Sequence, residues 1–258
     1  MQYRQSRRPS RDGIAPGLTL LPLLLALGIL GGACARQLAV DNRSPDARKA
    51  DNLVLQSHMA LNDFLGDREM GGPVRSLLRR AKAVQVYPQV LKGAFFFGAS
   101  GGSGVAMARD AQDHWGGPAF YTMGGVSFGL QFGGEAKQVL LVALTDRGLA
   151  ALQSTSAKLG ADADVAIGPI GYGAAAATQN LSADIVSYVR TKGLYAGIAV
   201  DGAVVAARTL LNQAYYGHAV TPTDILVRHA VTNPQAASLI RTVQEAATAS
   251  RTSNVAQK

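Results

Sequence analysis

The sequence predicts an α+β fold in which an antiparallel, strongly curved or barrel-like sheet is flanked by N- and C-terminal helices. Three observations lead there. Apolar residues recur at helical spacing before Val84, short β-rich segments broken by glycine fill the chain from Val84 to Val205, and cap-and-proline signals return after Thr221. So many short segments with close turns favour an antiparallel sheet over alternating βαβ units.

The chain opens with Arg4, Arg7, Arg8 and Arg11, followed by an uncharged apolar run from Leu18 to Leu30. This is the order of an export signal. As a helix the run would be about 20 Å long, short of the ~30 Å hydrocarbon core of a bilayer, so it suits a signal better than a span. Gly31, Gly32 and Ala33 then lead to Cys34, the single cysteine. Small residues before a thiol form a lipoprotein-type cleavage site, although Gly31 stands where such sites usually carry leucine. Residues 1–33 are therefore read as a signal peptide, with Cys34 lipidated. A conventional cut near Ala33 or Ala35, leaving the thiol unmodified, is the alternative.

Cleavage removes four of the 25 basic residues and one of the 17 acidic ones, leaving a formal charge near +5. That mild excess permits attraction to anionic head groups but lacks the clustered stripe of a nucleic-acid binder. One cysteine also excludes an internal disulfide.

Residues 34–50 are polar, with Asn42, Ser44 and Pro45, and read as a linker before a domain over 51–247 and a flexible tail over 248–258. Val54, Leu61 and Leu65 mark a first helix, ended by Gly71, Gly72 and Pro73. A second, short helix places Val74, Leu77, Leu78 and Ala81 on one stripe and Arg75, Arg79, Arg80 and Lys82 on the remaining surface.

Strands are expected at Gly93 to Ala99, Gly104 to Arg109, Ala119 to Met123, Val126 to Phe132, Val139 to Leu144, Ala161 to Ile167, Ile185 to Arg190 and Tyr195 to Val200. Alternation over Val126 to Phe132 indicates one buried face, and the unbroken apolar run from Val139 indicates two. Gly101-Gly102, Gly124-Gly125, Gly133-Gly134 and Gly202 mark turns or bulges. One helix interrupts the strands near Asp146 to Gln153. Thr221-Pro222-Thr223-Asp224 reads as a capping box with proline at the first helical position, and Asn233-Pro234 repeats the cap-proline signal.

Several patterns imitate catalytic motifs. Gly98-Ala99-Ser100-Gly101-Gly102 satisfies G-x-S-x-G, but a nucleophile elbow needs a helix after the serine and a strand is expected there. Gly171-Tyr172-Gly173-Ala174-Ala175-Ala176 matches a dinucleotide fingerprint without a βαβ context, and Asp184 follows too early for the ribose acid. Asp162 and Asp164 could share a cation from one strand face, though a solvated face is the simpler reading. His58, His114, His218 and His229 have no ligand spacing. No catalytic residue, metal or cofactor is expected, and the chain is read as non-enzymatic.

A family resemblance is carried by Ala81-Lys82-Ala83-Val84 with Tyr87-Pro88-Gln89-Val90-Leu91-Lys92-Gly93-Ala94-Phe95-Phe96-Phe97-Gly98, then Gly116-Gly117-Pro118-Ala119-Phe120-Tyr121 and Gly129-Leu130-Gln131-Phe132-Gly133. It continues through Lys158 to Ala163, Tyr188 to Gly197 and Asn212 to Gly217. The sequence resembles the SYLF domain, a lipid-binding module with bacterial members that are often exported or lipidated. Eukaryotic members bind phosphoinositides through a basic amphipathic segment and can engage actin.

The resemblance implies a bacterial lipoprotein that binds lipid, with acidic head groups as partners. Arg75, Arg79, Arg80, Lys82 and Lys92 occupy the place of the basic segment. The apolar stripe also fits a helix that covers the sheet, and the readings are compatible if the arginines face outward. A structural envelope protein with a protein partner is the alternative. Ala35 after Cys34, rather than aspartate, points to the periplasmic face of the outer membrane.

Overall fold

The computed structural model describes residues 43–94, 97–128, 133–191, 194–195, 200 and 202–249. Cys34, the signal segment and the tail from 250 onward lie outside the described residues.

The first helix, α1, spans Pro45–Gly66. Ser44 caps it, its Oγ accepting from the Ala47 N–H at 3.1 Å, and Pro45 fills an early position where a missing N–H costs nothing. The sequence reading began the domain near residue 50. The correction follows from this cap: Ser44-Pro45, read as linker, is a helix start. Helix α2 spans Gly71–Leu78, so Gly71, Gly72 and Pro73 form its first turn rather than a separator.

Four long strands form the centre of the sheet: β1 Ala83–Ala94, β2 Phe97–Arg109, β3 Trp115–Phe128 and β4 Gly133–Ala143. After helix α3, Asp146–Gln153, come β5 Ser156–Lys158, β6 Val165–Ile167, the short helix α4 Ala174–Ala177, β7 Ile185–Thr191, β8 Leu194–Tyr195 and β9 Val204–Ala207. Helices α5 Thr209–Tyr216, α6 Pro222–Leu226 and α7 Ala237–Thr248 close the chain. The strand order is β5-β9-β3-β2-β1-β4-β7-β6, with β8 beside β7, and the sheet is a strongly curled half-barrel. All pairings are antiparallel except β6 with β7.

The glycine pairs expected to mark turns or bulges lie inside strands. Gly101 pairs with Gly124 in the β2–β3 ladder, and Gly133 and Gly134 pair with Ala94 and Gly93. Close approach explains one of them: a Cβ on Gly102 would meet the Gln89 carbonyl oxygen at 2.3 Å. Gly202, at φ 80°, is a turn glycine as expected. Of the alternating segment, Leu130 and Phe132 lie outside the described residues.

Both faces of the sheet are covered. On one, Val84, Val86, Leu140, Val142 and Val186 pack under Leu61 and Phe64 of α1, Leu77 and Leu78 of α2, and Val243 of α7. On the other, Tyr87, Tyr121, Leu141 and Val189 pack with Leu152 of α3 and Ile225 of α6. Val139 to Ala143 is accordingly buried on both sides. Removing Phe64, which is fully buried, would cost about 3–5 kcal/mol.

Candidate functional site

Helix α2 docks with Val74, Leu77 and Leu78 fully buried, and Ala81 just beyond it is buried too. The apolar stripe therefore faces the core, where α2 lies against α1, α4 and α7, and the cations lie on the remaining surface. Two of them are engaged within the domain. The Arg80 Nη2 donates to the Thr178 carbonyl at 2.5 Å, and Lys82 Nζ lies 2.6 Å from Asp146 Oδ1. Arg75 and Arg79 are half-buried and make no side-chain ion pair among the described residues; the Arg79 carbonyl accepts from Arg109 Nη1 at 3.1 Å. Lys92 belongs to β1, opposite Ser100 and Glu135, and its side chain lies outside the described residues. It lies ten positions beyond Lys82, about 33 Å along the chain at ~3.3 Å per residue. The structure gathers Arg75, Arg79, Arg80 and Lys82 around α2 and its exit, and places Lys92 apart from them.

A second cationic group has no counterpart in the sequence reading. It arises where Pro88 interrupts β1. Proline cannot donate to a ladder, so a central strand accommodates it only at an irregularity. The register with β2 shifts between Val86 and Gln89, and that with β4 between Tyr87 and Val90. Two clefts open beside α1 at this point, and both are lined by Gln56, Pro88 and Gln89.

One cleft, of about 600 Å³, carries Arg48, Lys49 and Arg208 with Ser103, and among the described residues no carboxylate lines it. The other, of about 470 Å³, carries Met59, Asp63 and Arg190. Arg190 is tied into the domain: Nη1 donates to Gln138 Oε1 at 3.0 Å, Asp63 and Asp67 carboxylates lie at 3.6 Å, and its guanidinium sits 5.9 Å from the Phe64 ring centre. Arg48 and Lys49 escaped notice because they were placed in a linker. Arg208 sits beside α5 in a sequence with no basic cluster around it, so only the fold brings it to them.

The motif look-alikes resolve structurally. Ser100 lies inside β2, between Lys92 and Gly125, without a helix after it. The Gly171–Ala176 segment does connect two parallel strands, β6 and β7, which corrects the expected context. Its helix has four residues, however, and Asp184 is occupied by Thr145 Oγ1 and the Asp164 N–H. Asp162 and Asp164 do not share a strand face: Asp162 lies in a turn, where Oδ2 accepts from the Lys158 N–H at 2.7 Å.

The fold also joins histidines that have no sequence spacing. The Nδ1 atoms of His114 and His229 lie 3.5 and 3.7 Å from Asp110 Oδ2. The backbone N–H groups of His114, first, and Gln112 hold the Asp110 carboxyl below its ordinary value. Among the described residues no group of three His, Cys, Asp or Glu could hold a metal ion.

The residues that carry the family resemblance act as scaffold. Tyr87 donates to Gln85, Tyr216 donates to the Pro118 carbonyl at 2.9 Å, and Asn212 Oδ1 accepts from the buried Phe120 N–H at 2.8 Å. A Cβ on Gly116 would strike the His229 ring at 2.7 Å. Such residues fix how strands and helices meet.

Residues 124–246 match the Ysc84 family, described as "Las17-binding protein actin regulator", a description of a regulator and not of an enzyme. Protein YSC84 of Saccharomyces cerevisiae is 29% identical over 219 residues, covering 81% of this chain and 46% of the relative. LAS seventeen-binding protein 3 of the same species is 28% identical over 225 residues, covering 84% and 48%. SH3 domain-containing YSC84-like protein 1 of Mus musculus is 27% identical over 191 residues, covering 72% and 54%. The chain spans about half the length of these relatives. The family match runs from β3 into α7, so this part of the chain is similar to the Ysc84 family.

Proposed function

We propose that this chain is a membrane-anchored lipoprotein whose SYLF domain binds acidic lipid head groups, held by an acylated Cys34 at the periplasmic face of the outer membrane. The observation that carries the reading is the orientation of α2. Its apolar stripe is buried, and Arg75 and Arg79 lie on the other surface without ion-pair partners among the described residues. Each cation near an anionic surface contributes about 1 kcal/mol, weakened by salt. An acyl chain adds ~0.8 kcal/mol per buried CH₂, so the anchor supplies most of the attachment and the domain supplies selectivity.

Co-sedimentation of a Cys34→Ser chain with vesicles tests this. Binding to phosphatidylglycerol vesicles at low salt, lost at high salt and reduced by Arg75→Glu with Arg79→Glu, is the expected result. Indifference to lipid charge would overturn it. The names of the yeast relatives favour a protein-binding alternative; recovery of a stoichiometric protein partner by cross-linking, without lipid selectivity, would support that instead.

A further inference from the structure

We propose that the free edge of β6 is a docking site for a partner protein, which adds to the sheet an extended segment with apolar residues on one face and lysine or arginine on the other. The site goes beyond the lipid reading and does not rest on it.

The first argument is the direction of the backbone groups. Strand β6 pairs in parallel with β7, where the Ile185 N–H donates to the Asp164 carbonyl and the Gly168 N–H to the Ser187 carbonyl, each at 2.9 Å. In this register Asp164, Ala166 and Gly168 point their ladder groups toward β7. Val165 and Ile167, the alternate residues, point theirs away. Those two N–H and two C=O groups meet no partner among the described residues. Pro169 has no N–H, and its carbonyl accepts from the Tyr188 hydroxyl at 3.2 Å, so the open edge stops after Ile167.

The second argument is the contrast with the other end of the strand order. There the Ala207 N–H donates to the Thr155 carbonyl and the Leu159 N–H to the Ala203 carbonyl, so Ser156 and Lys158 of β5 face outward. The chain turns back to cover Lys158: its N–H donates to Asp162 Oδ2 at 2.7 Å, and its carbonyl accepts from the Asp162 N–H at 2.9 Å. Lys158 also sets a charge on that margin. Strand β6 lacks these protections: Val165 to Ile167 carries no charge, and Ile167 is 43% exposed. An apolar edge with unpaired groups is a template for another strand.

The third argument is charge, and it selects the occupant. Side chains alternate along a strand, so Val165 and Ile167 share one face and Asp164 shares the other with Ala166. Asp164 is exposed, and its carboxylate makes no hydrogen bond or ion pair among the described residues. Arg147, which reaches the same turn, is committed elsewhere: Nε donates to the Asp162 carbonyl at 2.9 Å, and Nη1 lies 3.6 Å from Asp184 Oδ2. A second copy pairing about a two-fold axis would set Val165 against Ile167 of the other β6 and satisfy the same four groups. It would also set Asp164 opposite Gly168 of that copy and bring no cation to it. A strand with apolar residues beside Val165 and Ile167, and lysine or arginine beside Asp164, satisfies both faces.

Fluorescence anisotropy of the full chain with labelled acetyl-Val-Lys-Val-Lys-Val-amide tests this, beside the same peptide with glutamate for lysine and a version with every amide N-methylated. Saturable binding of the lysine peptide is expected, with slowed amide exchange at Val165 and Ile167, weaker binding of the glutamate peptide and none of the N-methylated one. Asp164→Asn should weaken it about three-fold, the worth of one exposed ion pair. Ile167→Lys, a surface change that opposes the peptide with a like charge, should weaken it about ten-fold. A melting temperature equal to wild type shows that this variant folds, and Asp164→Asn with the exchange data carry the test if it does not. Absence of saturable binding, equal binding of the lysine and glutamate peptides, or binding that leaves the Val165 and Ile167 amides unprotected overturns the proposal. A concentration-dependent dimer of the peptide-free chain, dissolved by Ile167→Lys, overturns the choice of occupant in favour of a second copy.

Discussion

Tyr87 donates its hydroxyl hydrogen bond to Gln85 Oε1 at 2.7 Å, two residues back along the same strand, and both side chains are fully buried. Residues two apart in a strand share a face. Gln85 then passes the connection on, its Nε2 donating to the Leu152 carbonyl at the end of α3 at 2.9 Å. A polar line thus crosses an apolar core and joins β1 to a helix 67 residues away in sequence. Burial, with the Tyr121 ring as a lesser cause, raises the Tyr87 hydroxyl well above its ordinary pKa, so it remains a donor.

Tyr87→Phe leaves the Gln85 oxygen buried without its donor. A loss of about 1–3 kcal/mol is expected, read as a lower urea midpoint with an unchanged slope. Lipid binding should stay as in the wild type once the variant is folded.

Gly102 and Gly101 are adjacent yet should respond differently. Gly102→Ala forces a methyl group against the Gln89 carbonyl and is expected to cost about 1–3 kcal/mol. Gly101→Ala meets nothing closer than 3.7 Å and should stay within about 0.5 kcal/mol of wild type. Equal losses in thermal denaturation would contradict the packing account at the Pro88 irregularity.

Thr221 and Asp224 complete a capping box on α6, whose Ile225 and Leu226 pack into the second face of the sheet. Thr221→Ala should destabilise by about 1 kcal/mol, whereas Thr221→Ser should retain most of the cap. Denaturant midpoints of the pair separate loss of the cap from loss of the methyl group.

Acid should weaken the joint between α3 and β7. Thr145 Oγ1, the Asp164 N–H and the Arg147 guanidinium hold the Asp184 carboxyl below its ordinary value of 3.8, the hydroxyl bond being the largest cause. A carboxyl with a lowered folded value stabilises the fold above its unfolded value, and that contribution fades as pH falls below about 4. Asp184→Asn should lower the melting temperature at neutral pH and flatten its decline in acid.

Much of this architecture is legible in local pattern. The helix over Asp146 to Gln153, the capping box at Thr221 and the doubly buried strand from Val139 all follow from spacing or cap chemistry. The first ten residues of β1 are harder to read because Pro88 argues against a strand, and only the paired register shifts on both sides make room for it. Glycines at 101–102 and 124–125 suggest turns locally, while their role depends on facing strands far along the chain. The α2 stripe was readable from periodicity. The cleft with Lys49 and Arg208 was not, since 159 residues separate its cations and no periodicity spans that distance.

The strand order also dictates a sequence of assembly. The earliest strand, β1, is central, and β2, β3 and β4 can all pair with it or with one another as soon as residue 143 is available. The margins wait: β9 must travel back to β3, and β5 can pair only after β9 has arrived. Distant pairings of this kind form slowly. In a partly folded chain the β3 flank, with Tyr121 to Gly124 still lacking β9, is the stretch open to invasion by another molecule, so misassembly should begin there and the late C-terminal third acts as the seal against it.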